Sequence, residues 1–184
     1  MNLRLRELTS DDIPHIVRYW TRSSAEHLLA MGVDAAKVPH PDALAQNLER
    51  QCALPYEQKM AYCIIAEWKG MPVGHCNTNP TSFGEEAYMH LHLWSSAERG
   101  KGIGAAMVAG ALPYFFNNLK LQRLWSLPYA LNEAPSRTLQ KAGFVFDKEY
   151  VTVPGSLNFE QPVKRWLMTR ERFAQLYGTP SNRS

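Results

Sequence analysis

Two histidines, His90 and His92, stand at alternate positions of the segment EAYMHLHLW, residues 86–94, which is rich in strand-forming residues. Alternate side chains of a strand lie on one face, so both imidazoles point the same way and the apolar residues between them point the other way. Imidazole titrates near neutral pH and accepts protons from reacting groups. The pair is a candidate general base, and the alternative is a hydrogen-bonded pair with no catalytic role.

A glycine-rich cluster, Arg99-Gly100-Lys101-Gly102-Ile103-Gly104, follows this strand and precedes an apolar stretch that is predicted to be helical. Glycines let the backbone approach a ligand closely, and the free N–H groups at a helix N-terminus attract anions. The cluster therefore predicts a site for phosphate or pyrophosphate oxygens. A tight turn without a ligand is the alternative.

Charge patterning around the cluster supports an anionic ligand. No Asp or Glu occurs between residues 99 and 131, a run that carries Arg99, Lys101, Lys120 and Arg123. The formal charge of the whole chain is only +3, which is too small to suggest a general nucleic-acid or membrane-surface binder. The nearly neutral net charge of the whole chain thus hides a basic segment in its middle.

Three other sites fit these residues less well. Gly100-x-Gly102-x-x-Ala105 satisfies a loose dinucleotide fingerprint, but such a site needs an acidic residue about twenty positions later, where none occurs. A P-loop lacks its Gly-Lys-Ser/Thr ending. A zinc site at His90 and His92 lacks a nearby third ligand, so we expect no metal.

The elements that must position these residues alternate along the chain. Hydrophobic periodicity and turn residues predict a strand at 2–7, a helix after Thr9, a hairpin at 60–68 and 71–78 and the strand at 86–94. A buried helix at 103–117, bent or ended by Pro113, leads to a strand at 121–127 and a helix at 132–142. Gly143 closes that helix, and strands at 144–153 and 163–169 flank a loop at 154–161 before a helix at 170–177.

Length and composition are those of one globular unit. The 184 residues, 45% hydrophobic and 20% charged, predict a single domain over 1–178 with a polar tail at 179–184. Three cysteines without C-x-x-C spacing suggest reduced thiols rather than a disulfide framework. No apolar run approaches the roughly 18 residues of a membrane span, so we expect a cytoplasmic protein without membrane or nucleic-acid partners.

Two motifs in this order resemble a known family. The strand, the Arg-x-x-Gly-x-Gly turn from Arg99 and the helix after it resemble motif A of the GNAT superfamily of N-acetyltransferases, whose turn binds the coenzyme A pyrophosphate. Residues 132–144, NEAPSRTLQKAGF, resemble motif B, a helix that ends in a Gly-Phe pair beside the pantetheine arm. The opening LRELTSDDIPHI resembles the first motif, so the likeness covers most of residues 2–170.

The resemblance implies an α/β (α+β) fold, in which helices flank a mixed, mostly antiparallel sheet that splays between its fourth and fifth strands. Coenzyme A would enter that gap. Its implied contacts are the backbone of the turn, the backbone at the end of the strand, and the second helix. The residues concerned are Arg99, Gly100, Lys101, Gly102, Ile103 and Gly104, then His92, Leu93 and Trp94, and finally Asn132 and Ser136.

The resemblance also bears on the catalytic residues. One member of the family has a catalytic histidine pair on the equivalent strand. His90 matches one of that pair by spacing, Tyr88 occupies the other's place, and His92 is two residues out of register. Glu85 and Glu86 are further candidates, although they stand where solvated residues are expected.

A tyrosine that often protonates the departing thiolate in the family is replaced here by Leu139. This departure resembles the branch that modifies ribosomal-protein N-termini, and it leaves Ser136 and Tyr129 as possible donors.

The sequence therefore predicts an N-acetyltransferase that uses acetyl-CoA, without a metal, to modify a primary amine of a small molecule or peptide by direct attack in a ternary complex. We expect a monomer or homodimer. In the family, acceptor choice depends on the regions that correspond to residues 23–55 and 154–161. The alternative is a non-catalytic module that binds or senses acyl-CoA, and a dinucleotide-dependent oxidoreductase comes third.

Overall fold

The computed structural model describes residues 3–95 and 100–178 of the chain, so Arg99 and the predicted tail 179–184 lie outside the described residues. Seven strands occur in these ranges: β1 (Leu3–Glu7), β2 (Tyr62–Trp68), β3 (Met71–Ser82), β4 (Glu86–Leu93), β5 (Arg123–Ser126), β6 (Val145–Thr152) and β7 (Gln161–Thr169). Six α-helices accompany them: α1 (Ile13–Arg22), α2 (Ala25–Ala30), α3 (Pro41–Ala53), α4 (Ile103–Asn118), α5 (Glu133–Lys141) and α6 (Arg170–Tyr177).

The strands form one sheet in the order β1-β2-β3-β4-β5-β7-β6. Every neighbouring pair is antiparallel except β4 and β5, which run parallel. This arrangement, with helices on both faces, confirms the predicted mixed, mostly antiparallel α/β fold. The parallel pair divides the sheet into a half that contains β1 to β4 and a half that contains β5 to β7.

Helix α4 holds the two halves together. It is apolar around its whole circumference, as expected of a helix buried in a core, and its side chains belong to a cluster with residues of β2, β4, β5, α5, β7 and α6. Seven of its residues are almost inaccessible: Ile103, Met107, Val108, Ala111, Leu112, Phe115 and Phe116. The helix continues through Pro113 to Asn118, although a proline there was predicted to bend or end it. The extensive burial of this helix outweighs the loss of one backbone hydrogen bond.

The two faces of β3 and β4 have different neighbours. Cys76 and Met89 point into the buried cluster around α4, while His75 and His92 lie on the other face, beside α1. Because the side chains of a strand alternate, this places the histidines of β4 on the side of the sheet that α4 does not occupy.

A carboxylate network lies on the α4 face of the sheet, at the end of that helix. Glu7, the last residue of β1, accepts hydrogen bonds on one carboxylate oxygen from the hydroxyls of Tyr56 and Tyr62, both at 2.6 Å, and from Asn118 at 3.2 Å. Burial, followed by this hydrogen bond, raises the pKa of Tyr62. The network joins β1, β2 and the end of α4.

The predicted elements are recovered with a few shifts in their ends. Helix α6 matches its predicted range, and Gly143 terminates α5 with a left-handed φ of 88°. Strand β3 continues to Ser82 through a register shift between Thr78 and Thr81, where a loop was predicted. Within 3–95 and 100–178, no helix is both long enough and apolar enough to cross a bilayer.

Gly74 offers a test of the packing between β3, β4 and α4. A β-carbon at this position would lie 2.4 Å from the backbone oxygen of His92 and 2.9 Å from the terminal methyl of Met107. A backbone oxygen in a paired strand cannot move aside cheaply, so Gly74→Ala should lower the free energy of unfolding by about 1–3 kcal/mol. Urea denaturation measures this change. The control Met71→Ala, on the exposed end of the same strand, should change stability by less than about 0.5 kcal/mol, and equal effects of the two variants would contradict the packing described.

Candidate active site

Strands β4 and β5 separate soon after they meet. Their parallel pairing covers three positions, from Glu86 opposite Arg123 to Tyr88 opposite Trp125, and the hydroxyl of Ser126 then donates to the backbone oxygen of Met89 at 3.0 Å. Strand β5 ends at Ser126, whereas β4 continues to Leu93. The last residues of β4, including His92 and Leu93, therefore face an open gap on their β5 side.

The glycine turn lies at the end of β4 that borders this gap. Gly100 and Gly102 both have φ of 77°, and the space where a β-carbon would lie is open at each. Gly102 is the residue from which α4 begins, and the first turn of α4 contains no acidic side chain. The N–H groups of this turn, at Ile103 and Gly104, have no acceptor within the helix and stand at its positive end. A turn with these properties can receive an anion.

Helix α5 forms the opposite side of the gap. Asn132 caps it by accepting a hydrogen bond from the N–H of Ala134 at 3.3 Å. The hydroxyl of Ser136 is buried and has no hydrogen-bond partner among the described residues. Leu139, which stands where the family often has a tyrosine, lines the cavity described next, as do Asn132 and Tyr129.

A cavity of about 510 Å³ extends from the gap across the second face of the sheet. His75, His90 and His92 line its middle, and Asn132 and Leu139 line it at the gap. A ligand in the gap and a second ligand in the cavity would therefore meet beside the histidines of β4.

His90 is held by a backbone carbonyl. Its Nε2 lies 2.8 Å from the carbonyl oxygen of Asn79, which can only accept a hydrogen bond, so Nε2 carries the proton and Nδ1 of the neutral ring keeps its lone pair. Burial lowers the pKa of His90 below its ordinary value, and the Asn79 carbonyl partly offsets this by favouring the protonated ring. His90 is therefore a neutral imidazole, and the Asn79 carbonyl recovers part of the basicity that burial removes.

His92 lies within an aromatic cluster. Its ring stacks on His75 with centroids 4.7 Å apart, its Nδ1 is 3.3 Å from the hydroxyl of Tyr19, and Trp20 contacts it edge-on at 4.9 Å. Burial, reinforced by the neighbouring histidines, holds the pKa of His92 well below its ordinary value. The Tyr19 hydroxyl also lies 3.3 Å from Nε2 of His27, so it contacts two imidazoles.

His75 was not identified from the sequence. It pairs directly with His92 across β3 and β4, and Trp94 donates its indole N–H to Nδ1 of His75 at 2.8 Å. Burial lowers the pKa of His75 to about 3. The signal that could have revealed it is the register of the β3–β4 pair, since a strand residue opposite a candidate base shares its face. Tyr19 and His27 belong to helices and have no such sequence signal.

The two candidate carboxylates lie away from the histidines. Glu86 accepts hydrogen bonds from the indole of Trp125 at 2.9 Å and from Arg123 at 3.1 Å, and these contacts lower the pKa of Glu86. Glu85 is exposed just before β4 begins. Neither lines the cavity. In the described parts of the chain, no three His, Cys, Asp or Glu side chains are grouped so that they could hold a metal ion.

Comparison with known proteins gives a consistent picture. The model of the acetyltransferase (GNAT) domain matches residues 2–145. No curated protein matches the chain significantly. Solved structures with sequence identities below 20% to this chain share its fold, and their similarity is evidence for the fold alone.

Three solved structures illustrate the similarity. A ribosomal-protein-S5-alanine acetyltransferase from Vibrio fischeri is 19% identical, with 92% of this chain and 93% of that chain covered and a TM-score of 0.75. A spermidine N-acetyltransferase from Vibrio cholerae, in complex with CoA and spermine, is 17% identical over 94% and 98% of the two chains, with a TM-score of 0.75. An aminoglycoside acetyltransferase in complex with coenzyme A is 19% identical over 95% and 98%, with a TM-score of 0.70.

The buried histidines predict a loss of stability in acid. Unfolding exposes His75, which then binds a proton below its ordinary pKa of about 6.5, whereas the folded protein resists protonation down to about pH 3. Stability attributable to this residue is therefore present above pH 6.5 and falls as the pH drops towards 3. Between pH 7 and pH 5 the loss for His75 alone should be about 2 kcal/mol.

Urea denaturation at both pH values, in the native protein and in His75→Gln, measures this contribution. The glutamine can still accept the hydrogen bond from Trp94 but does not titrate. The variant should lose about 2 kcal/mol less than the native protein between pH 7 and pH 5. Identical losses would show that His75 titrates alike in the folded and unfolded chains.

Proposed function

Because the chain belongs to the GNAT acetyltransferase family, we propose that it transfers an acetyl group from acetyl-CoA to a primary amine, by direct attack within a ternary complex. One observation carries this proposal: the gap between β4 and β5 borders an anion-binding turn on one side and opens into a cavity lined by His90 and His92 on the other. A thioester and an amine can meet in such a site without a covalent enzyme intermediate.

The proposed binding of coenzyme A uses the turn, the end of β4 and helix α5. The N–H groups from Gly100 to Gly104 suit the pyrophosphate, together with Arg99, which lies outside the described residues. The backbone of His92, Leu93 and Trp94 can pair with the pantetheine arm, because none of the described strands covers the β5 side of β4 there. Asn132 and Ser136 lie on the helix across the gap. Two of the similar structures described above are complexes with coenzyme A, which supports this assignment.

His90 is the proposed general base, with His92 as the second candidate. An alkylammonium must lose a proton before its nitrogen can attack the thioester carbonyl, and Nδ1 of His90 can accept that proton while Nε2 remains bonded to Asn79. The nitrogen–carbon bond then forms, the carbon–sulfur bond breaks, and the thiolate takes up a proton from a donor. The proton that the new amide nitrogen loses restores that donor. Tyr129, which lines the cavity, and Ser136, with its unpartnered hydroxyl, are the proposed donors to the thiolate.

Substitution of the proposed base separates an enzyme from a binding module. His90→Ala should lower kcat by about 100-fold, because general-base catalysis contributes roughly that much, and should leave the affinity for coenzyme A unchanged. Thiol release from acetyl-CoA with an amine library measures turnover, and calorimetry measures binding. His40→Ala, which removes an exposed histidine that does not line the cavity, is the control and should retain full activity.

Two results would contradict this proposal in different ways. Tight coenzyme A binding without turnover of any amine would favour the sensing module, for which Leu139 in place of the tyrosine is the supporting feature. Unchanged turnover in His90→Ala, with loss of activity in His92→Ala, would transfer the role of base to His92.

A second prediction concerns the glycine turn. Gly102→Ala should weaken coenzyme A binding by about tenfold, because a β-carbon disfavours the left-handed conformation and displaces the N–H groups that follow it. Gly84→Ala is a matched control, since Gly84 has φ of 78° in open space at a turn between β3 and β4. Both variants should lose similar stability in thermal unfolding. If both also bind coenzyme A equally well in calorimetry, the turn is not the pyrophosphate site.

A further inference from the structure

The cavity extends well beyond the histidines, into the space between the sheet and helices α1 and α3. Apolar side chains from three segments form this inner part: Ile16 and Trp20 of α1, Met31 and Val33 after α2, and Leu44 and Leu48 of α3. Leu44 and Leu48 are four residues apart, so they share one face of their helix. The wall opposite the histidines is therefore largely apolar; Asn47 and Gln51 of α3 also line the cavity, and their side-chain oxygens already accept hydrogen bonds from the protein.

One side of the cavity is a pair of bonded loops, residues 32–38 and 154–161, here called the two-loop wall. Val33 and Asn158 form an antiparallel bridge, and the N–H of Asp34 donates to the carbonyl of Leu157 at 2.8 Å. The side chains of Asn158 and Gln161 both donate to the carbonyl of Gly32 at 2.8 Å. These contacts leave few polar groups of the wall free for a ligand.

The lining contains very little charge. Among the described residues that line the cavity, Glu7 is the only carboxylate and Lys59 the only lysine or arginine. Glu7 already accepts hydrogen bonds from two tyrosines and an asparagine. Lys59 donates to the carbonyls of Gln51 and Cys52 at the end of α3, and burial lowers the pKa of Lys59. Both charges are committed to partners in the protein, and they cancel.

This balance determines which amines the cavity can hold. The histidines favour their neutral forms and therefore add no charge to the cavity. The ammonium that will react loses its proton at the base, but any additional ammonium of a polyamine or aminoglycoside would remain charged. Burial of an unpaired cation is strongly unfavourable, and the described residues of the inner part include no uncommitted carboxylate to offset it.

The apolar wall suits a different kind of acceptor. Trp20 and Met31 present an indole and a thioether, groups that pack well against aromatic rings and alkyl chains. The volume of about 510 Å³ lies in the range of sites for small organic ligands. After transfer, the amide product is uncharged and remains compatible with this surface.

We propose, on the premise of the acetyl transfer proposed above, that the acceptor is a primary amine with a single basic nitrogen and an apolar body. An arylalkylamine or a short alkylamine has this chemistry. Its nitrogen would reach the histidines of β4, and its apolar body would lie against Trp20, Leu44 and Leu48. Polycationic amines are excluded from the inner part by charge rather than by size.

A comparison of four acceptors at pH 7.5 tests the proposal: 2-phenylethylamine, hexylamine, spermidine and kanamycin. The two monoamines should show kcat/KM at least about 100-fold above the two polycations, because each extra cation would be buried without a partner. A tetra-alanine peptide with a free N-terminus is a fifth arm. A preference for spermidine, kanamycin or the peptide over both monoamines would overturn the proposal.

Introduction of a carboxylate on the apolar wall sharpens the test. Leu48→Glu should lower kcat/KM for 2-phenylethylamine by about tenfold and raise it for spermidine by about tenfold, because the new charge pairs with the second ammonium. Leu48→Gln has the same shape without the charge and should not favour spermidine. Gln46→Glu adds the same charge at an exposed position of α3 that does not line the cavity, and it should leave the preference unchanged.

Controls separate failure of this inference from failure of the proposed function. Thermal unfolding and calorimetry with coenzyme A check that each variant is folded; if Leu48→Glu is not, Leu44→Glu replaces it on the same helix face. Acetylation of polycations alone leaves the transferase intact but refutes the acceptor class. The native protein could also bind coenzyme A but acetylate none of the five acceptors and no member of a broader amine library. That result would refute the proposed acetyl transfer itself. An unchanged acceptor preference in a folded Leu48→Glu would show that the wall does not contact the acceptor.

Discussion

Backbone hydrogen bonds between β4 and β5 are made over three residue pairs and then stop, and the site occupies the space where they are missing. A sheet interrupted in this way needs another source of cohesion. Helix α4 provides it, since its buried side chains pack against residues from both halves of the sheet. A typical hydrogen bond contributes only about 0.5–1.5 kcal/mol net, whereas a fully buried Leu or Phe contributes about 1.5–3 kcal/mol. Apolar packing beneath the sheet thus maintains an opening within it.

The same helix connects the core to the proposed chemistry. Its buried length fixes where its N-terminus stands, and that end presents the N–H groups of the glycine turn to the gap. On the other face of the sheet, burial keeps His75, His90 and His92 neutral. A neutral imidazole is the form that accepts a proton, but burial also weakens it as a base. The Asn79 carbonyl raises the pKa of His90 and so restores part of its strength as a base. The hydrogen bonds described above give His75 no comparable acceptor.

Much of this arrangement could be predicted from local sequence signals. Alternation in 86–94 correctly assigned the two faces of β4, and the glycine cluster marked the start of α4. Residues that come together only through tertiary structure could not be found in this way. His75 becomes visible once the register of β3 against β4 is known, and Tyr19 reaches His92 across 73 positions of sequence. The apolar wall combines α1, α3 and the segment after α2, none of which has a chemical motif of its own.

The end of strand β3 and the continuation of α4 beyond Pro113 were missed for a related reason. Polar and proline residues at 79–84 predict a loop, but pairing with β4 extends β3 to Ser82. Pro113 predicts a break, but the core around α4 favours a continuous helix. In both cases long-range contacts override a local preference.

The two-loop wall joins segments that are more than 120 positions apart in the chain. Because Gly32 accepts from both Asn158 and Gln161, an insertion or deletion in one loop would leave unpaired groups in the other. The lengths of the two loops are therefore coupled, and a change in one requires a compensating change in the other. The shape of the cavity would then change in evolution mainly through point substitutions on α1 and α3. An engineer who grafts the two-loop wall onto a related scaffold would need to transfer both loops together.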